Sequence, residues 1–553
     1  MTDGIDASTV RAWARLAVHA LEGAAEPLDR ANVFPVPDAD TGTNLVLTVR
    51  EGAAAVAGTA PDADGAATGA AFARGCLLGA RGNSGVIVAA WVRTLVESWA
   101  DGPVPALAAA ARAARTAVAE PADGTALTAA DEAARAAATV TDAGAAVVTV
   151  LMAACGGATG AVLRSPGELG PRGRGRLDAG AQGLRLVLGA LAAACGAQDP
   201  DLVRVVAERP ADVSVADGTL GDVTRTPAAD ELEVMFTLDV PRPEAPAAEP
   251  GPAAEAPPDD VADTMRAALA GAGTSVAVVG GGGTWRGHVH TDDPGRALDA
   301  AVRVAKDAGG RLRDVQVQDL ARAHDGGLGV VAVTSAPGLV TELAHAGAVV
   351  LAHGRRRTPP GPSALRRALE ETRAHVVLLV APPGTPVPDD EEPVSGEHAP
   401  VVVRVATPTD AHTVSALAAL ATLPSPAGTV DDGGGAFDVD ALARAAVRAR
   451  DAVARVRGAV LPTGWASAVG VVEALLATAG AGAGADGAGV VVLVRGLRAD
   501  DDLVARVVEH VAARDPRAEV LVLSSGRDDA VVHVGVEPPA PVRSGAADRE
   551  GAA

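Results

Sequence analysis

At 553 residues the chain is too long for one hydrophobic core, and length alone predicts about three or four domains. Its 48% apolar content comes mostly from alanine and valine, with 2% aromatic residues and no tyrosine, so the core must be close-packed from small side chains. A net charge of −22 excludes nucleic acid and anionic membrane surfaces as partners, since both require a basic footprint; a polyphosphate remains admissible if a metal supplies the local positive charge.

The opening segment, MTDGIDASTVRAWARLAVHALEG, lacks the basic start and apolar block of a signal peptide and spaces its apolar residues as a helix does. No transmembrane span is expected, for want of a charge-free apolar run of about 18 residues. Cys76, Cys155 and Cys195 are odd in number, far apart and set among Ala and Leu, which fits free thiols in a reducing compartment. A soluble, cytoplasmic protein is anticipated.

Residues 1–200 read as helix after helix: Ser8–Glu22, Thr43–Val56, Ala66–Leu78, Ser84–Trp99, Pro105–Val118, Ala129–Val140, Ala145–Ala153 and Gln182–Ala194, broken at Gly, Pro and Asp clusters. About eight helices and no convincing strand make this an all-α domain. The texture changes near residue 200. Residues 201–322 predict a small α+β domain, with 241–260 (PRPEAPAAEPGPAAEAPPDD) a disordered loop or linker. Within it, helices are expected at Val261–Ala270 and Gly295–Lys306, and strands at Ser275–Val279, Trp285–His290 and Leu312–Gln318. Apolar runs alternating with helical stretches over 323–538 predict a C-terminal α/β domain with a largely buried sheet, followed by a flexible tail at 539–553.

The densest chemical signal is Asn32-Val-Phe-Pro-Val-Pro-Asp38-Ala-Asp40-Thr41-Gly-Thr43-Asn44. Pro35 and Pro37 hold the chain extended, so carboxylates at i and i+2 can converge on one cation. Hard oxygen ligands suit magnesium, which keeps positions for phosphate oxygens, and the following helix offers free backbone N–H groups to anions. The plainer reading is an acidic turn with an ordinary N-cap. Gly79-Ala-Arg81-Gly82-Asn83-Ser84-Gly85 is a second phosphate-approaching turn, or a helix–turn–helix with Ser84 as a simple cap. Asp178-Ala-Gly180-Ala-Gln182-Gly183 and Pro121-Ala-Asp123-Gly124-Thr125 complete a set of four polar turns in one helical domain, an arrangement suited to gathering around a polyphosphate. The chain holds a single lysine, Lys306, which rules out a lysine-bearing phosphate loop and the lysine-dependent protein-kinase arrangement.

NVFPVPDADTGTN, GARGNSG and DAGAQGL resemble the signature segments of the ATP-binding subunit of bacterial fatty acid kinase, whose N-terminal domain is similar to the nucleotide-binding (DhaL-type) subunit of dihydroxyacetone kinase. The resemblance implies a multidomain protein with an N-terminal barrel of eight antiparallel helices binding ATP and Mg2+ at one rim. It also implies a separate fatty-acid-binding, DegV-like carrier protein, whose bound carboxylate becomes acyl phosphate, and a homodimer. Asp38 and Asp40 match the magnesium-binding pair. Asn32 stands nearest to where dihydroxyacetone kinases have a third aspartate. Thr41, Thr43, Asn44, Gly82, Asn83, Ser84, Thr125, Asp178 and Gly180 match positions around the nucleotide.

Farther along, Arg286-Gly-His288-Val-His290-Thr resembles the family's middle-domain His-x-His-Thr strand. Two histidines at i and i+2 share a strand face and can bind zinc. Glu233 falls where the family's third ligand, a cysteine, would stand, so a His/His/Glu zinc site and a metal-free strand pair both remain open. GRRRTPPGPS (354–363) replaces the family's Gly-Gly-Gln-Thr-Met-Asn-Pro-Ser loop, with Arg355–Arg357 either an anion-facing patch or a solvated loop. The rivals to a fatty acid kinase are a dihydroxyacetone or related small-hydroxy-compound kinase of the same fold, and a nucleotide-sensing scaffold without catalysis.

Overall fold

A computed structural model describes residues 5–32, 39–140, 145–168, 177–197, 231–241, 260–320, 327–353, 360–385, 400–421, 439–480 and 489–537. The chain divides into two compact units, 1–315 and 316–553. Asp38, most of the expected linker at 241–260, Arg355–Arg357 and the tail fall outside the described residues.

The first unit opens with eight helices: α1 (Ala7–Ala31), α2 (Thr41–Ala57), α3 (Gly65–Gly79), α4 (Gly82–Glu97), α5 (Pro103–Thr116), α6 (Ala126–Ala138), α7 (Val147–Glu168) and α8 (Ala179–Ala194). Each packs on its sequence neighbour, and α8 packs back on α1. Alanine, leucine and valine fill the core between them, with Trp13, Phe72 and Trp91 the large side chains inside it. The Trp13 indole donates to the Val187 carbonyl at 2.9 Å, fixing α1 against α8.

Two helices run well past the ends their glycines suggest. α1 continues through Gly23 and Pro27 because Ala24 and Leu28 extend its buried stripe. α7 continues through Gly156 and Gly157 because glycine is wanted there for contact: a Cβ on Gly157 would lie 2.3 Å from the Glu132 carbonyl oxygen and 2.8 Å from the Ala136 methyl on α6. Against the sequence expectation, residues 143–163 carry no charge, and α7 is long and apolar enough to cross a membrane, the only such helix among the described residues. Its Val150, Leu151, Ala154, Ala158 and Val162 are buried in the helical core, which is how the core helix of a water-soluble bundle looks.

Strands β1 (Leu232–Asp239), β2 (Thr274–Gly281), β3 (Thr284–Thr291) and β4 (Arg311–Asp319) lie in the order β2-β3-β1-β4, with β3 antiparallel to both β1 and β2. The sheet joins the helices through β2: Ala119 N donates to the Val276 carbonyl at 2.9 Å, and Val278 N to the Ala117 carbonyl at 2.8 Å.

The second unit contains two sheets where one was expected. Strands β5 (Leu328–Thr334), β6 (Val349–Ala352), β7 (Val376–Ala381) and β8 (Val401–Ala406) run parallel in the order β6-β5-β7-β8. A further sheet, β11-β10-β12-β9, is built from β9 (Arg457–Leu461), β10 (Val490–Arg495), β11 (Glu519–Ser524) and β12 (Val532–Glu537). β5 and β7 are buried almost throughout, whereas the edge strands β8 and β11 are largely exposed.

Candidate nucleotide and metal sites

The even-numbered helices α2, α4, α6 and α8 begin at the four polar turns, and side-chain contacts bring these beginnings together. Thr41 Oγ1, in the first turn of α2, lies 3.4 Å from Ser84 Oγ in the first turn of α4. A Cβ on Gly180, in the first turn of α8, would lie 3.7 Å from Ser84 Oγ and 3.4 Å from the Ala126 methyl at the start of α6. Four helix N-termini therefore meet at one place. Their free N–H groups and aligned peptide dipoles favour an anion there.

What caps these helices separates ordinary turns from others. Asp6, Asp64, Thr125 and Asp178 each accept a hydrogen bond from the backbone of the helix they precede. Asp40 holds the N-cap position of α2 without a side-chain cap bond. Its carboxylate makes no hydrogen bond or ion pair among the described residues. It follows Ala39, whose φ of 54° is a left-handed conformation that alanine rarely adopts. The ordinary N-cap reading of this turn is thus excluded for Asp40. Ser84 is not the simple cap of α4 either, because Arg81 occupies that position and the Ser84 hydroxyl faces Thr41.

Second-layer contacts fix the turns. Thr48 Oγ1 donates to the Asn44 carbonyl at 2.6 Å and accepts from Arg81 N at 3.2 Å, tying α2 to the turn before α4. Gly82 has φ of 53°, and a Cβ there would lie 2.5 Å from Asn44 Nδ2, so glycine is required twice over. Asn83 Oδ1 is buried with no hydrogen-bond partner among the described residues. Asp178 accepts from Ala181 N at 2.6 Å, while its own N–H donates to Ser165 Oγ at 2.9 Å. Burial pushes the Asp178 carboxyl up to about 7, against the opposing pull of the Ala181 and Gly180 N–H groups.

Asn32 is buried at the C-cap of α1. Thr43 is held by a residue that the motif reading passed over: Asp29 accepts from Thr43 N at 3.0 Å and from Thr43 Oγ1 at 2.7 Å. Thr48, Ser165 and Asp29 were all missed. Only Thr48 had a usable signal, standing one helical turn beyond Asn44.

The second cluster lies on β1 and β3. Glu233, His288 and His290 are all buried, and one ligand atom from each lies within 4.8 Å of the others. His288 Nδ1 is 3.0 Å from the Ser275 carbonyl oxygen and Nε2 is 2.8 Å from Glu233 Oε1. A carbonyl can only accept, so Nδ1 carries the proton. The Nε2 lone pair of a neutral ring would then face a carboxylate, and a proton or a cation has to lie between them. An imidazole fixed by a backbone carbonyl with its other nitrogen toward a carboxylate and a second histidine is how zinc ligands are presented. The donor set therefore fits the ion. Tetrahedral ligands about 2.0–2.1 Å from zinc stand roughly 3.4 Å apart, so small side-chain adjustments would close the site. Glu231 approaches from the side, its Oε1 3.4 Å from His290 Nδ1, and that contact lowers its pKa.

Two family models match in succession: the DAK2 domain over residues 35–193, and the FakA-like middle domain of fatty acid kinase over 253–326. Protein YloV of Bacillus subtilis is 27% identical over 395 residues, 64% of this chain and 66% of its own length. An uncharacterized protein of Staphylococcus saprophyticus is 45% identical over 78 residues, 14% of either chain. The chain thus aligns with just under two thirds of YloV and with much less of the staphylococcal relative. Among solved structures, the dihydroxyacetone kinase from C. freundii in complex with AMP-PNP and Mg2+ is similar at 22% identity, with a TM-score of 0.26 and 33% of each chain covered. The two domain matches, in this order and joined by the YloV alignment, identify a protein of the DAK2-domain group whose resemblance is to the fatty acid kinase subunit.

Proposed function

We propose that the chain is the ATP-binding subunit of a kinase that phosphorylates the carboxylate of a fatty acid presented by a separate DegV-like carrier, giving acyl phosphate and ADP. The observation that carries this reading is the uncapped Asp40 carboxylate at the meeting point of four helix N-termini. Asp38 and Asp40 would hold Mg2+, which supplies neutralising charge to the phosphates when bound. Thr41, Thr43, Asn44, Gly82, Asn83, Ser84, Thr125 and Gly180 line or brace the phosphate side, and Asn32 supports the loop from α1. The ring of helices is the eight-helix antiparallel barrel that the family resemblance implies. An acyl carboxylate is already ionised at neutral pH, so the chain needs no strong general base, in keeping with the absence of histidine from the four turns.

Glu233, His288 and His290 would hold Zn2+ as a structural ion of the sheet. Cytoplasmic location and homodimerisation belong to the same reading. The test is incubation of the full chain with radiolabelled ATP and Mg2+, a lipid-loaded carrier and free dihydroxyacetone, with hydroxylamine trapping of acyl phosphate. Label on the trapped acyl group is expected. Label on dihydroxyacetone alone, or on neither, would overturn the assignment.

A further inference from the structure

We propose that the pocket at the carboxyl ends of β5, β7 and β8 binds a small oxyanion head group, a single carboxylate or phosphate. This site lies wholly within residues 316–553 and does not depend on the kinase reading. In the order β6-β5-β7-β8 the chain leaves β5 toward β6 on one side, while β7 continues to β8 on the other. Where parallel strand order reverses in this way, the connections diverge and open a crevice beyond the strand ends. Here the crevice is a cavity of about 190 Å³, with Thr334 and Ser335 from β5, Thr407 after β8, and Arg527 and His533 on its wall.

The wall offers donors. Thr334 Oγ1 accepts from Ala336 N at 3.0 Å, which leaves its own proton to donate. Thr407 is 2% exposed, and its buried hydroxyl has no partner among the described residues. Arg527 is 9% exposed; its Nη1 lies 2.6 Å from Asp410 Oδ2 and its Nε 3.4 Å from Asp529 Oδ2. Two carboxylates thus fix two edges of the guanidinium, while Nη2 carries no hydrogen bond to a described residue. His533 Nδ1 stands 3.0 Å from the same Asp410 oxygen. The helix Asp410–Ala421 starts at the pocket and adds its positive end.

Hydroxyl protons, a free guanidinium nitrogen and a helix N-terminus together call for a ligand made of acceptors. The size of the ligand is bounded from the other side. One guanidinium between two carboxylates leaves no surplus charge for a polyphosphate, and the cavity has no room for a nucleotide.

The test uses the full chain in EDTA, so that no metal-dependent site contributes, titrated calorimetrically with sodium phosphate and separately with sodium acetate. At least one anion should saturate, and it should slow hydrogen exchange at 407–413 and 527–533. Thr407→Val and Thr334→Val keep the shape and remove a donor, and each should weaken binding by about tenfold. Acetate binding would assign a carboxylate ligand and phosphate binding a phosphate ligand. The proposal fails if neither anion saturates. It also fails if exchange at those two segments does not change, or if both variants, folded by circular dichroism, bind as the parent does. Should a variant not fold, the exchange measurement on the parent chain decides.

Discussion

Arg286, on the strand that carries His288 and His290, places its Nε 3.4 Å from the carbonyl oxygen of Ala80, the residue that leads into the Arg81–Gly85 turn. The guanidinium is 2% exposed, and its Nη1 also donates to Thr237 Oγ1 at 3.2 Å. The sheet therefore braces the turn that bears Asn83 and Ser84. Replacing Arg286 with Met should raise the Kd for Mg·ATP by about tenfold, since a hydrogen bond from a charged donor is worth about 1.5–3 kcal/mol. Calorimetric titration of ATP checks it, with circular dichroism verifying the fold. An unchanged Kd would mean that the brace is purely structural.

Asp40 and Asp64 occupy the same position on successive helices but do different work. Asp64 accepts from Ala67 N at 2.7 Å, so Asp64→Ala should cost about 1 kcal/mol of stability and leave turnover alone. Asp40→Ala breaks no cap and should shift stability by less than about 0.5 kcal/mol, while turnover falls below detection. Thermal melts and initial rates on the two variants distinguish the roles.

Asp178 predicts a pH signature of definite sign. Its folded pKa of about 7 lies above the ordinary value of 3.8, so between these limits the folded chain keeps a proton that the unfolded chain releases. Stability from this group is full below the ordinary value, declines as pH rises toward 7, and is flat above. Asp178→Asn cannot titrate. The difference in Tm between parent and variant should slope across that window and level off beyond it; a flat difference from pH 4 to 8 would contradict the buried acid.

For the β1–β3 cluster, metal analysis of protein purified without chelator should find about one zinc per chain. His288→Ala should lose it, with a drop in Tm that chelator reproduces in the parent. Protein that is metal-free and indifferent to chelator would mean that a proton, not an ion, lies between His288 and Glu233.

Gly183 tests the small-residue packing. A Cβ there would lie 2.1 Å from Leu45 Cδ1, and Gly183→Ala should destabilise the chain by about 1–3 kcal/mol. Chemical denaturation with Gly183→Ala/Leu45→Ala should recover part of that loss by making room.

The helices of the first unit were legible because alanine-rich stripes and capping residues mark them locally. Their true lengths were not, since Gly157 serves a neighbour far away in sequence and nothing beside it in the chain says so. The same limit explains Asp29 and Ser165, whose partners Thr43 and Asp178 lie more than a helical turn away. β9 and β12 escaped notice because RGAVL and VHVGVE are short and alternate weakly, and they acquire strand identity only by pairing with each other and with β10. For the candidate site, the sequence supplied the four turns. It could not show that Asp40, alone of the aspartates at those helix starts, is left without a cap bond.

The Asp29–Thr43 clasp joins residues fourteen positions apart, one on each side of the segment that carries Asp38. Because it closes that stretch at its base during folding, the entropy of bringing the two helix ends together is not charged to the ligand. An incoming cation then has to order only the interior of the loop. A chain cut inside that stretch would still hold its two halves in register, and breaking the clasp by Asp29→Ala should weaken metal affinity without touching a single proposed metal ligand.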